Sequence, residues 1–497
     1  METKEYLVVL EVSQKQGYIF KTDRLVENIG ASIIIRKITE ELPKNYAKDD
    51  EFVFEGGGKS VYAFDSYEKA SQFVKKMTRE VIEHYPGVEL FMAIHEYDTE
   101  KDSIIKAIND LYGKLEEKKS SRRHNFKTIG LGITETCLDT SLPASKYECV
   151  GKDKITVSSE TSVKIKVGRE EQDEVFKKLL PDNNDYKFAR EFEDMGGSKG
   201  SKNYIAVIVI DGNKMGKKIE KFRKEFIERN PDVSETANRK YKQELRKLSE
   251  EIDGCYKKAV KDAVKKVFDN LEKLQEKGVL EKRYNENIMY LPVRPLILAG
   301  DDICIVTDAR IGIDVAETIL RNIEKNTICE LPMKACAGVA MVRTGYPFFK
   351  AHELAEELCH NAKSILPSDD SVDASVIDFH VDQGELAGSL SDIRKELYNN
   401  SALTNKPLYI HSEDNTSNDG SKSMEDFRKR FELFKDKKLG RGFVKQYRDA
   451  LYDGESSAKK YLSDKRMTNK IGESYVNGHC VDFDIIEMID IYNRLEG

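Results

Sequence analysis

The sequence predicts an α+β fold in which two units with the same βαββαβ order precede a helical region. Three observations lead to this prediction. The chain has 497 residues, more than one hydrophobic core usually supports. Two stretches repeat one order of strand and helix signals, and the last part shows helical spacing. Since βαββαβ is the ferredoxin-like order, we expect two ferredoxin-like domains and a helical C-terminal domain.

The second unit, predicted over residues 204–380, has the clearer pattern. Residues 204–210 form an apolar, β-branched run that predicts a buried strand ending at Asp211. Gly300-Asp301-Asp302 joins two apolar runs and predicts a hairpin. The predicted elements are strand 204–210, helix 214–277 with a break at Asn230-Pro231, strands 295–299 and 303–307, helix 311–323, strand 333–342 and helix 350–364.

The first unit, predicted over residues 1–100, repeats this order. Its predicted elements are strand 6–11, helix 24–41, hairpin 52–64, helix 67–84 and strand 88–97. Setting Gly57 on Gly300 places Gly58 and Lys59 opposite Asp301 and Asp302 without a gap. Residues 101–203 then form a linker domain, and residues 381–497 the helical C-terminal domain.

The composition excludes several classes of protein. With 39% hydrophobic and 34% charged residues, the chain is too apolar for a disordered protein, and no apolar run is long enough for a bilayer span. Residues 1–5 are unlike a signal peptide, and the eight cysteines include no Cys-x-x-Cys pair. We therefore predict a cytoplasmic protein with reduced thiols and no membrane partner. A net charge of −7 restricts any nucleic-acid surface to a local patch.

Three carboxylates are predicted to converge in the second unit. Asp211 ends one central strand, whereas Asp301 and Asp302 lie in the turn of the adjacent hairpin. Gly-Asp-Asp alone is a weak signal, because both are ordinary turn residues. The upstream Asp211 and the repulsion between neighbouring acids strengthen it. Palm-type nucleotidyltransferases hold two divalent ions in this way, so we predict three catalytic acids. The predicted site for Mg²⁺ or Mn²⁺ consists of Ile210, Asp211, Asp301 and Asp302.

Glycines and lysines beside these acids are candidates for nucleotide binding. Residues 212–216 open a helix, where exposed N–H groups and a lysine favour phosphate. Gly300 lets the backbone approach a phosphate, and Lys363 could reach back to one. The alternatives are a plain strand-to-helix turn with solvated lysines, and a cation that stabilises a helix C-terminus. The predicted nucleotide-binding residues here are Gly212, Asn213, Lys214, Met215, Gly216, Gly300 and Lys363.

These segments resemble the large polymerase-like subunit of type III CRISPR effector complexes, a relative of the GGDEF nucleotide cyclases. Residues 209–216 (VIDGNKMG) resemble its strand-to-helix metal motif, and residues 299–302 (AGDD) resemble its Gly-Gly-Asp-Asp turn. Residues 11–13, 18–20 and 30–32 (EVS, YIF, GAS) resemble the opening of its first palm domain. The similarity covers about residues 5–100 and 200–365.

The resemblance implies two palm domains and a magnesium-dependent enzyme that converts ATP into cyclic oligoadenylate messengers in antiviral defence. It also implies guide RNA, target RNA and other effector subunits as partners. The first palm has Gly58-Lys59 in place of an acid pair. It therefore resembles a catalytically silent domain that holds the acceptor nucleotide through Gly57, Gly58 and Lys59. Asn213 stands where many members have a second acid, so metal binding depends on the other three acids.

The chain departs from the family in two further respects. None of its eight histidines is followed by Asp, and it begins at the first palm, so we expect no nuclease activity of the His-Asp type. The family's zinc-bearing segment between the palms retains only Cys137 and Cys149. Two cysteines rarely make a closed zinc site, so we predict a metal-free remnant of a zinc-ribbon-like segment.

Two other functions remain open from the sequence. In one, the chain is a subunit of an RNA-guided complex whose palms are structural or active only after target RNA binds. In the other it is a template-dependent polymerase, although Met215-Gly216 stand where such enzymes have a second Asp. Residues 118–124 predict an RNA contact or a solvated loop. The remaining predictions are a flexible linker at 196–202, a polar loop at 412–423, and amphipathic helices at 424–434 and 482–495.

Overall fold

A computed structural model gives the arrangement of most of the chain. It describes residues 4–56, 58–121, 130–150, 153–181, 185–196, 203–285, 288–367, 372–382, 388–398, 401–414, 422–435 and 439–496. Helices and strands are both abundant and form several sheets, so the predicted α+β class is confirmed.

The first sheet has the strand order β2-β3-β1-β4, and all neighbouring strands are antiparallel. Its part of the chain contains β1 (Lys4–Ser13), α1 (Lys15–Ile19), α2 (Leu25–Arg36), β2 (Phe52–Gly56), β3 (Lys59–Phe64), α3 (Tyr67–His84) and β4 (Glu89–Asp98). Alternate residues of β1 face opposite sides: Val8 packs with Phe73 of α3, and Leu7 belongs to the cluster that contains Leu111. The predicted first unit is therefore present, with β1 at its centre.

The predicted linker region contains helices that pack on the first unit. Its elements are α4 (Ile104–Ser120), β5 (Lys146–Val150), β6 (Asp153–Val157), α5 (Ser159–Glu171), β7 (Tyr186–Phe188) and α6 (Glu193–Gly196). The helix α4 lies against β4 and β1, whereas α5 lies against α2. This region therefore extends the hydrophobic core of the first sheet.

The second sheet contains β8 at its centre, between antiparallel β12 and β15. Its part of the chain contains β8 (Tyr204–Gly212), α7 (Met215–Arg229), α8 (Glu235–Glu276), β9 (Tyr284–Asn285), β10 (Ile288–Leu291), β11 (Val293–Ala299), β12 (Asp302–Asp308), α9 (Ala309–Glu324), β13 (Thr327–Ile328), β14 (Leu331–Pro332), β15 (Ala335–Arg343), α10 (Phe348–Ser364) and β16 (Val376–Val381). The order β11-β12-β8-β15 matches the order β2-β3-β1-β4 of the first sheet. The predicted internal repeat is confirmed.

Two strands of the second sheet were not predicted. After α10 the chain adds β16 parallel to β15, and Leu408–Tyr409 then forms β17 against β16, giving six strands in the order β11-β12-β8-β15-β16-β17. Beyond residue 381 the chain is mainly helical, as predicted, and the short strand β17 is an addition to that pattern. Polar Asp378 and His380 are buried within β16 and hide its apolar pattern in the sequence.

The long helix α8 connects the two sheets. Its Lys242 Nζ lies 2.7 Å from Glu5 of β1, and its Arg246 Nη2 lies 2.9 Å from Asp49. Farther along, Val260 and Val264 belong to the hydrophobic core that includes Ile303 of β12. One helix therefore contacts both the first and the second sheet. Across the described residues, no helix combines the length and apolar character that a membrane crossing needs.

The C-terminal part packs on the second sheet through α9. Its elements after β17 are α12 (Met424–Lys435), α13 (Arg441–Tyr452), α14 (Glu455–Asp464), α15 (Thr468–Ile471), β18 (Tyr475–Val476), β19 (His479–Cys480) and α16 (Phe483–Met488), and α11 (Leu390–Leu397) precedes β17. Asp314 of α9 is buried and accepts hydrogen bonds from the Tyr492 hydroxyl at 2.7 Å and the Leu495 N–H at 2.9 Å. The predicted helix over 482–495 is wrong beyond α16, because these residues satisfy their polar groups at Asp314 instead.

We expect Gly338→Ala to destabilise the protein, because α10 packs directly on β15 at this glycine. A Cβ on Gly338 would lie 2.0 Å from the Ala355 carbonyl oxygen and 2.3 Å from the Cys359 nitrogen. Overpacking of this kind typically costs ~1–3 kcal/mol. Urea unfolding measures the change. Gly345→Ala is the control, since no atom lies within 4 Å of the added carbon. Equal stability of the two variants would contradict the close packing.

Candidate active site

The turn between β11 and β12 carries two of the predicted acids. Ala299 pairs with Asp302, so Gly300 and Asp301 form the turn between the strands. Gly300 has a φ of +64°, a conformation that glycine adopts without steric cost. The predicted hairpin is therefore present, and both carboxylates lie at its end.

The third acid lies on the neighbouring strand. Ile210 of β8 pairs with Ile303 of β12, so the next position along both strands brings Asp211 beside Asp302. Ile210 itself is fully buried between β12 and β15, and only its backbone carbonyl has the chemistry to bind a cation. The strand register therefore brings the three acids to one end of the second sheet.

The proximity of these acids changes their protonation. Burial raises the pKa of Asp301 to about 6, and the charges of Asp302 and Asp211 add to this effect. Burial and the charge of Asp211 also raise the pKa of Asp302, while Lys15 and Lys363 oppose that rise. Carboxylates with excess negative charge are the ligands that Mg²⁺ prefers. The three carboxylates are therefore of the chemical type that binds Mg²⁺.

Lys363 binds one of the three acids directly. This residue lies in the last turn of α10, and its Nζ donates to Asp211 Oδ2 at 2.5 Å and to the Gly212 carbonyl at 2.9 Å. Burial alone would lower the pKa of Lys363, but the hydrogen bond and charge of Asp211 raise it. In the part of the chain that the structure describes, no three His, Cys, Asp or Glu side chains lie in an arrangement that could hold a metal ion. Asp211 has a lysine as its partner in this state.

The residues of the predicted phosphate-binding turn fall into two groups that make different contacts. Asn213 is buried and its Nδ2 donates to the Ala374 carbonyl at 2.8 Å, whereas Lys214 Nζ donates to the Val372 carbonyl at 3.2 Å. These two side chains therefore hold residues 372–374 against the second sheet. Met215 and Gly216 begin α7 and line a cavity instead.

That cavity lies between the two sheets and has a volume of about 460 Å³. Its wall includes Gly58 and Lys59 of the first sheet, and Gly300, Asp301 and Asp302 of the second. Pockets of this size commonly bind small organic ligands. The two hairpin turns that the sequence comparison aligned therefore face the same space.

The first sheet carries an ion pair where the second sheet has acids. Glu11 of β1 pairs with Lys59 of β3, in the position that corresponds to Asp211 beside Asp302. Lys59 Nζ lies 3.6 Å from the Glu11 carboxylate and 4.9 Å from the centre of the Tyr112 ring. The first sheet therefore has an ion pair at the positions where the second sheet has two neighbouring acids. Gly57 lies outside the described residues.

Two residues in the site were not predicted. Lys15 in α1 lines the cavity. Burial lowers the pKa of Lys15, although the charges of Asp302 and Glu11 act to raise it. Tyr256 of α8 is buried, and a Cβ on Gly212 would lie 2.6 Å from its hydroxyl oxygen. Lys15 lies in a segment without helical periodicity, and Tyr256 lies on the apolar face of a helix. Neither position carries a signal for chemistry in the sequence.

Other predicted features lie away from the cavity or outside the described residues. Cys137 is buried with its Sγ 3.6 Å from Thr161 Oγ1, whereas Cys149 is exposed. The absence of zinc there stays a prediction. Lys118 and Lys119 end α4 and bind the Met92 carbonyl and Glu11. The rest of the basic stretch (122–124), linker residues 197–202 and loop residues 415–421 lie outside the described residues.

Comparison with known proteins identifies the second unit. Residues 204–370 match the family model for the second palm domain of Cas10/Cmr2. No curated protein sequence matches the chain. The acid at the end of β8 beside a Gly-Asp-Asp hairpin in a ferredoxin-like sheet defines a palm domain. Residues 204–370 are therefore similar to the second palm domain of Cas10/Cmr2, which supports the predicted resemblance to a Cas10-like subunit.

Several solved structures are similar over nearly the whole chain. A Csm1-Csm4 cassette in complex with pppApA has a TM-score of 0.48 and 13% identity, covering 98% of this chain and 70% of that chain. The apo Csm1-Csm4 cassette has a TM-score of 0.48 and 12% identity, covering 99% and 70%. The cassette in complex with cA4 has a TM-score of 0.44 and 11% identity, also covering 99% and 70%. Similarity this distant assigns neither a fold nor a function by itself.

We expect Tyr256→Phe to preserve or raise the stability of the nucleotide-free protein. Within the described part of the chain, the buried Tyr256 hydroxyl has no hydrogen-bond partner, so its removal relieves a desolvation cost. Tyr447→Phe is the matched control, because the buried Tyr447 hydroxyl donates to Asp482 at 2.7 Å and its loss should cost ~1–3 kcal/mol. Chemical denaturation compares the two. A similar loss in Tyr256→Phe would show that its hydroxyl has a partner.

We expect Glu55→Gln to flatten the pH dependence of stability. Burial raises the pKa of Glu55 to about 7 from the ordinary value of 4.5, and the charges of Glu40 and Asp253 add to the rise. The folded state therefore binds this proton more tightly than the unfolded state, and stability falls as pH rises from 4.5 to about 7. Denaturation at several pH values measures the slope. Glu148→Gln should leave that window unchanged, because Lys146 lowers the pKa of Glu148.

Proposed function

We propose that this chain is a Mg²⁺-dependent nucleotidyltransferase that joins ATP molecules into cyclic oligoadenylate messengers in type III CRISPR-like antiviral defence. The observation that supports it is the placement of Asp301 and Asp302 at the wall of a cavity shared by two palm-like sheets, with Asp211 next to Asp302 on the neighbouring strand. The match of residues 204–370 to the Cas10/Cmr2 second palm gives this arrangement its family context.

The three acids are the proposed catalytic and metal-binding residues. Asp211, Asp301 and Asp302 would hold Mg²⁺ or Mn²⁺, with the Ile210 carbonyl as a further candidate ligand. When bound, such ions lower the pKa of an attacking hydroxyl and neutralise a triphosphate. Burial raises the pKa of Asp301 to about 6, and the charges of Asp302 and Asp211 add to the rise, so a bound cation would stabilise the ionised carboxylates.

Residues around the acids would bind and orient the nucleotides. The N–H groups at Met215 and Gly216 lie at the start of α7, where the helix dipole favours a phosphate of the donor nucleotide. Lys363 is close enough to Asp211 to share a ligand with it. The first-sheet side, with Gly58 and Lys59, would hold the acceptor nucleotide. The cavity between the sheets keeps both nucleotides close together and away from water.

A second proposal is that activity depends on assembly with guide RNA, target RNA and other effector subunits. The Lys363–Asp211 ion pair favours it, because a metal ion at Asp211 must replace or share this lysine. Residues 372–374 also accept hydrogen bonds from Asn213 and Lys214, in the turn that precedes α7. A partner that moves α10 or this segment would change both contacts.

We expect the purified chain to form cyclic adenylates from ATP and Mg²⁺ or Mn²⁺, as resolved by mass spectrometry. The double variant Asp301→Asn/Asp302→Asn should form none, because it loses two metal-binding charges. It should be at least as stable as the wild-type protein without metal, since it also loses a repulsion. Asp464→Asn, at an exposed helix end, is the control.

The outcomes separate the two proposals. Cyclic products from the isolated wild-type chain support constitutive synthesis, whereas products only after addition of the RNA-guided complex support activation by assembly. Undiminished synthesis by the double variant would refute both, since the acids would then have no catalytic role.

A further inference from the structure

The lysines near the two hairpin turns differ in whether a carboxylate already binds them. Lys59 lies 3.6 Å from Glu11, and Lys363 binds Asp211. Lys59 and Lys363, two of the three lysines predicted to bind a nucleotide, therefore have a counter-ion within the protein. Within the described residues, Lys15 forms no ion pair within 4.0 Å and no hydrogen bond. It is a cavity-lining cation without a partner there.

Gly58 creates the space that Lys15 occupies. A Cβ added to Gly58 would lie 1.6 Å from Lys15 Nζ and 2.8 Å from its Cε. No side chain other than hydrogen leaves this position open, and Gly58 also has a φ of +75°. The ammonium group consequently lies against the first-sheet turn, on the cavity wall that also contains Asp302.

We propose that Lys15 binds a phosphate group of the acceptor nucleotide, and that Gly58 is required because it leaves room for the lysine. This inference rests on the proposed function of the same cavity. The donor triphosphate belongs near the three acids and α7, on the second-sheet side. An acceptor on the first-sheet side carries its own polyphosphate, and Lys15 lies beside that turn with no ion pair to any described residue. An ammonium ion that is partly desolvated gains most from a charged hydrogen-bond partner.

The competing role for Lys15 is purely structural, as a counter-ion that reduces the charge around Asp302. The two roles differ in their ligand dependence. A phosphate-binding lysine affects only ligands that carry phosphate, whereas a counter-ion affects the shape of the cavity and therefore every ligand. Binding measurements with a matched pair of ligands distinguish them.

Calorimetric titration with α,β-methylene-ATP, which cannot lose pyrophosphate, measures the binding of two nucleotides without turnover. At saturating Mg²⁺ we expect two molecules per wild-type chain. In Lys15→Met one of them should bind about 10-fold to 100-fold more weakly, the effect of losing one hydrogen bond to a charged group. Adenosine should bind both proteins equally. A parallel weakening of adenosine, or unchanged affinity for the analogue, would overturn the inference.

Gly58→Ala provides an independent route to the same test, because the methyl group would displace Lys15. We expect it to weaken the same binding event, and Lys15→Met/Gly58→Ala to be no weaker than the poorer single variant. Gly56→Ala in the same hairpin is the control, since no atom lies within 4 Å of its added carbon. An additional loss in the double variant would refute the coupling between Gly58 and Lys15. If the wild-type chain binds no analogue, the proposed function itself fails.

Discussion

Repulsion among three carboxylates at the end of β8 and β12 is the constraint on which the rest of the site depends. The antiparallel register places Asp211 beside Asp302, and the tight turn adds Asp301. Without a bound cation, the protein supplies charge through Lys363, which reaches Asp211 from the last turn of α10. That contact requires α10 to pack closely on β15, and Gly338 provides the necessary space. Close packing at Gly338 therefore helps to position Lys363, which forms the ion pair with Asp211.

The two sheets share one topology and differ in charge at equivalent positions. The first sheet has Glu11 opposite Lys59, an attractive pair that is satisfied internally. The second sheet has Asp211 beside Asp302, a repulsive pair that gains from binding a cation. Two sheets with the same strand order can therefore differ in charge, one with an attractive ion pair and the other with neighbouring acids. Since both turns line the same cavity, one side of the cavity carries Asp301 and Asp302 and the other carries Lys59.

The fold and the acids were predictable from the sequence because both depend on local patterns. Strand ends, Gly-containing turns and helix periodicity located Asp211 and the hairpin of Asp301 and Asp302 to within a residue or two. The roles of the lysines are harder to predict from the sequence, because they depend on which carboxylate each lysine contacts in the folded protein. The sequence predicts Lys363 near the acids, where the lysine binds Asp211, whereas Lys15 has no signal of its own. The strand β16 was missed because buried polar residues interrupt its apolar pattern.

The helix α8 couples the separation of the two sheets to the environment of the acids. Its first half binds the first sheet through Lys242 and Arg246. Farther along, its Tyr256 hydroxyl lies beside Gly212, and the charges of Asp301 and Asp211 contribute to its raised pKa. Because a helix transmits displacement along its axis, a shift of the first sheet would also move Tyr256 against the acids. A displacement of the first sheet would therefore reach the surroundings of Asp211 and Asp301 through α8, without any direct contact at these acids.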